Sequence, residues 1–164
     1  MASGNTLRTI SPLANEPPSS AFATLDTRNG HPVLDFDASS DESAIFTCVL
    51  PRSYAGGGLT VYLHWAATSA TSGDVVWNAA FERIGEGSQD IDSDGFASAQ
   101  AATATASGTS GNIDIQAITF TDGAQMDSVA VGESFRLKIT RDADNGSDTM
   151  TGDAELVAVE IKET

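Results

Sequence analysis

Cysteine occurs once, at Cys48, so the chain can form no internal disulfide and no cysteine-based zinc site. Basic residues are also scarce. Eight Lys and Arg stand against 23 Asp and Glu, a formal net charge of −15 over 164 residues. That deficit argues against nucleic acid as a partner, because binding there depends on neutralised phosphates. It argues equally against an anionic membrane surface. No apolar run approaches the roughly 20 residues of a membrane-spanning helix. Residues 1–20 contain no apolar stretch of the secretory type, so synthesis in a reducing cytoplasm is expected.

Large apolar residues are few as well. Val, Ile, Leu and Phe number 34, while Ala alone supplies 24. About 20% of such residues with a high net charge borders on the composition of disordered chains. Patterning has to show that this chain folds, and it does. Ala21–Arg28 and Pro32–Asp37 flank the turn residues Asn29-Gly30, with Val33 on one face and Leu34 and Phe36 on the other. Ser43–Leu50 is a nearly continuous apolar run that predicts a strand covered on both faces. Leu59–Ala67 sets Leu59, Val61, Leu63 and Trp65 against Thr60, Tyr62 and His64. Asp74–Ile84, Asn112–Thr121, Glu133–Arg141 and Glu155–Glu163 alternate in the same way, the last with Val157, Val159 and Ile161 inward. Phe96–Ser107 is Ala-rich, yet its Thr-Ala alternation predicts a strand. Eight or nine strands with period two and no amphipathic helix give an all-β chain: an antiparallel β-sandwich, jelly-roll-like.

Residues 1–20 carry Pro12, Pro17 and Pro18 and lack a strand pattern. They read as an extended N-terminal arm, either disordered or ordered only against a partner, preceding a sandwich domain of residues 21–164. The arm's candidate contact residues are Leu7, Arg8, Ile10, Pro12 and Leu13.

Catalytic motifs are missing. His31 lies in a turn and His64 on a polar strand face, and neither sits in a nucleophile–base motif. Gly56-Gly57-Gly58 lacks the Lys-Ser/Thr of a phosphate loop. Cys48 reads as a small hydrophobe. Asp90-Ile91-Asp92-Ser93-Asp94-Gly95 has the alternating carboxylates of a calcium loop, but Ala101 stands where a bidentate Glu belongs. Calcium at Asp90, Asp92 and Asp94 is one reading; a solvated Asx-rich turn is the other. The Asp142–Asp148 segment with Asp153 raises the same question. No cofactor is expected. Tyr54, Tyr62, Trp65 and Trp77 are the aromatics that could stack on sugars, with the two tryptophans patterned as core and Tyr54 as the surface candidate. Between Arg83 and Arg136 there is no Lys, Arg or His, which gives a surface of one sign.

The passages LDTRNGHPVLDFD, AIFTCVLPRSYAGGGLTVYLHWAATSATSGDVVWNAAFER and GESFRLKITRDADNGSDTMTGDAELVAVEIKE resemble a β-rich module of tailed-bacteriophage structural proteins. A free-standing chain of this size resembles a capsid decoration (cement) protein. The resemblance implies a non-enzymatic virion protein on the capsid exterior, a homotrimer bridging subunits of the major capsid protein. The alternative is a tail-associated receptor-binding or carbohydrate-binding module.

Overall fold

The computed structural model describes residues 4–164, and within them ten strands form two sheets. They are β1 (Thr6–Ile10), β2 (Thr24–Arg28), β3 (His31–Phe36), β4 (Glu42–Val49), β5 (Leu59–Ala67), β6 (Asp74–Ile84), β7 (Gln100–Thr105), β8 (Asp114–Phe120), β9 (Ser134–Arg141) and β10 (Ala154–Glu163). One sheet has the order β2-β3-β10-β5-β8, with β1 alongside β10 as its sixth strand. The other has the order β4-β9-β6-β7. Every strand pair is antiparallel, and from β3 onward the chain crosses repeatedly between the sheets. This is the expected antiparallel, jelly-roll-like sandwich.

The inward faces meet in a single core. Phe36, Trp65 and Trp77 pack edge-on at one end, and Phe81, Phe120 and Phe135 pack together at the other. The indole N–H groups of Trp65 and Trp77 are buried without a hydrogen-bond partner among the described residues, each at a cost of about 1–3 kcal/mol. Arg141 is 0% exposed. Its guanidinium uses all five N–H donors, on both Asp148 carboxylate oxygens and on the carbonyls of Phe36, Met150 and Gly152. The Arg-Asp dipeptide and the Asp-rich turn after it are therefore a structural knot tying the β9–β10 loop to the core.

Three expectations change. Val157 does not face the core. A β-bulge between Leu156 and Ala158 inserts it, so Leu156, Val159 and Ile161 are buried while Val157 is turned out. β4 is not covered on both faces along its length, because it is the edge of its sheet: Ala44–Phe46 are buried, but Thr47 and Val49 are exposed. The reading of residues 1–20 as lacking a strand also changes, since β1 lies within them. β3 pairs only with Ala154–Leu156 of β10, leaving the flank of Val159–Lys162 open, and β1 fills it. Pro12, Pro17 and Pro18 lie after β1 and so do not obstruct the pairing. The chain then runs along the edge of β4. Arg8 donates twice to the Val49 carbonyl, the Ile45 N–H donates to Asn15 Oδ1, and the Glu16 N–H donates to the Ile45 carbonyl. Residues 6–16 strap the two sheets together. Residues 1–3 lie outside the described part.

Candidate functional site

The outer face of the six-stranded sheet carries a groove of about 420 Å³. Its construction begins at the β2–β3 hairpin. Asn29 and Gly30 both adopt positive φ (49° and 79°), the two-residue turn whose twist matches the strands it joins. The turn holds Arg28 and His31 as a cross-strand pair on the outer face and presents Asn29 at the rim. Val33 follows His31 on the same face. The bulge in β10 adds Val157 beside Glu155, and Ala66 and Ile113 complete a floor of aliphatic side chains.

The polar lining is a coupled set. Glu155 is only 7% exposed, and its Oε2 accepts from Arg28 Nη1. Arg28 also donates to the carbonyls of Ala67 and Thr68. It lies against Gly111 (φ 82°), where a Cβ would meet its Nη2 at 2.9 Å. Glu155 Oε1 has no hydrogen-bond partner among the described residues. Across the strand from Glu155 is Asp35. Burial, together with the nearby charges of Asp153, Glu155 and Asp26, pushes the Asp35 carboxyl from its ordinary 3.8 up to about 6, despite a hydrogen bond from Thr68. Further along this face stand His64, between Ala158 and Ile115, and Tyr62, between Glu160 and Ala117.

The residues singled out by sequence are scattered. Asp90, Asp92 and Asp94 occupy a turn after β6. There the Asp90 carbonyl accepts from Ser93 and Asp94, and its side chain accepts from the Asp92 N–H. The three carboxylates are not drawn together. Among the described residues the one convergence of metal-ligating groups is Asp41, Asp142 and Asp144, whose oxygens lie within 4.8 Å of one another. Asp41 accepts from the backbone N–H groups of Ala143 and Asp144, and its charge raises the Asp144 carboxyl. Sequence pointed to the 142–148 segment but had no signal for Asp41, which reaches it across the fold.

Of the contact residues placed on the arm, Ile10 and Pro12 are buried, Leu7 packs against the core and Arg8 is spent on Val49. Leu13 alone projects outward, 67% exposed. Trp65 and Trp77 are core residues, as their alternation predicts. Tyr54 is not a free surface ring: it packs partly against the core and its hydroxyl donates to the Gly57 carbonyl. Neither histidine has a hydrogen-bonded nucleophile or carboxylate among the described residues. Cys48 is half-buried, and burial pushes its thiol up. Sequence missed the groove itself, since Arg28, His31, Ala66, Ile113 and Glu155 come from four strands and a loop with no common motif.

No protein-family model and no curated protein matches the chain. Solved structures do. A carbohydrate-binding module of Cellvibrio mixtus lichenase 5A, in complex with cellotriose, aligns over 98% of this chain and 99% of its own, at 12% identity and a TM-score of 0.49. The CBM22-2 xylan-binding domain of Paenibacillus barcinonensis Xyn10C aligns over 98% and 94%, at 13% identity and 0.45. A structure of infectious bursal disease virus, Gt strain, aligns over 98% of this chain but 38% of its own, at 15% identity and 0.31. These are likenesses of β-sandwich to β-sandwich and say nothing of ligand.

Proposed function

We propose that the protein is a non-catalytic glycan-binding module whose ligand lies on the outer face of the six-stranded sheet. One observation carries this: a preformed groove with an aliphatic floor and a rim of hydrogen-bonding groups, built on strands and a tight hairpin. A sugar ring offers an apolar face and a polar edge. Val33, Ala66, Val157 and Ile113 suit the first; Asn29, His31 and Glu155 suit the second. Tyr62 and His64 extend the face for a longer chain. Glycoside hydrolysis needs two free carboxylates flanking the scissile bond, whereas Glu155 here is bound to Arg28 and nearly buried. The test is a glycan array read with and without chelator. Binding that Asn29→Ala and His31→Ala both weaken supports the module, silence under both conditions overturns it, and loss on chelation assigns calcium a part in it.

A second observation favours the capsid decoration reading. Leu13, Phe22 and Leu25 are exposed around a cleft of about 280 Å³ that Pro12 and Pro17 also line. A homotrimer on the capsid exterior, seated on the major capsid protein, would cover this patch. Leu13→Asp with Phe22→Ser should then abolish decoration of heads while the soluble protein keeps its fold. Undiminished occupancy on imaged heads refutes that role.

A further inference from the structure

We infer that the groove selects a cationic sugar, one whose ring face rests on Val33, Ala66 and Val157 while a protonated amine meets Glu155 Oε1. This rests on the glycan reading above and adds the charge of the ligand. Glu155 is more than nine-tenths buried and lines the cavity, with one oxygen committed to Arg28 and the other unpartnered among the described residues. A carboxylate oxygen only accepts, so the group that completes it is a donor. A charged donor gives the stronger bond.

Arg28 cannot serve an anionic sugar in return. Its two terminal nitrogens already bond Glu155, Ala67, Thr68 and Ser110. Beyond it, carboxylates dominate this quarter of the sheet: Asp35 stands across from Glu155, and Asp26 and Asp153 are near enough to act on Asp35. The raised Asp35 carboxyl is the response of an acid to that crowding, which an arriving cation would relieve. The aliphatic floor distinguishes an amino sugar from a bare ammonium ion, since only the former covers it.

The experiment titrates the full chain with three trisaccharides, of glucosamine, of N-acetylglucosamine and of glucose, followed by NMR shifts at the groove. The glucosamine trisaccharide should bind about tenfold more tightly than the other two, the scale of one partly screened charge pair, and high salt should erase the gap. Glu155→Gln should abolish the preference. Since that change also releases Arg28, Asp35→Asn is the independent check: it should cut glucosamine affinity severalfold and leave the neutral sugars unmoved. Equal binding of all three sugars overturns the charge selectivity and leaves the glycan module standing. Binding of none overturns the module and the selectivity with it. Putrescine binding as tightly as the amino sugar overturns the sugar reading in favour of a simple amine site.

Discussion

Arg141 shows how much a single side chain organises. The side chain of its partner Asp148 is as buried as its own, and the same carboxylate also accepts the Val76 N–H. Removing one member of a buried pair leaves the other charge uncompensated, at about 3–5 kcal/mol. Asp148→Asn is expected to lower the unfolding free energy by that scale, read as a fall in the urea midpoint, and a midpoint within experimental error of the parent would refute the role. Asp35 works in the opposite direction. Between 3.8 and about 6 the native state holds a proton that the unfolded chain has lost. Stability therefore falls as pH rises through that window and stays lower above it. Asp35→Asn should raise the melting temperature near neutral pH and give no gain below the window. An equal gain at both pH values would mean that the carboxyl charge is not the cause. At this scale little of the site was legible. Glu155 reads in sequence as one more polar strand residue, and only the cross-strand placement of Arg28 makes it a buried, half-satisfied acid.

At the scale of elements, β5 and β6 run over the residues their alternation marks, because each has one apolar face and an abrupt turn at either end. β1 was illegible, since Thr6–Ile10 has no alternation strong enough to outweigh the prolines beyond it. What makes it a strand is the vacancy beside β10, which is a tertiary property. Its loss should be felt throughout. Burial of Ile10 contributes about 1.5–3 kcal/mol, and each bond from Arg8, Asn15 and Glu16 to β4 adds about 0.5–1.5 kcal/mol. Removing residues 1–16 should thus lower the denaturation midpoint steeply and expose the β4 edge to self-association. A truncated protein that stays monomeric with an unchanged midpoint would show the strap to be dispensable. The bulge is equally invisible in sequence, as alternation continues through it with one residue too many. Deleting Val157 should restore regular pairing but remove part of the groove floor, so sugar binding should fall more than stability does. Unaltered binding would exclude Val157 from the site.

Taken whole, the molecule carries its −15 on a thin two-layer body, and the stretch free of Lys, Arg and His includes β7 and β8. These are the last strands of their respective sheets on one side of the sandwich. Self-repulsion of this kind opposes the compact state and is screened by salt. The melting temperature should therefore climb with added sodium chloride; a flat or falling response would mean that the carboxylates are already balanced locally. The fold class was legible because a half-buried strand needs apolar residues on one face alone, so a low overall content is compatible with a dry core.

The pairing of β1 with β10 also sets an order of events. Thr6 meets Lys162, and Asn5 meets Glu163, so a segment made early must wait for one made more than 150 residues later. Contacts of such separation slow folding. Until β10 arrives, β1 has no flank to join and the β4 edge has no cover. The interval between those moments, rather than the finished sandwich, is when this chain is most open to pairing with the wrong strand.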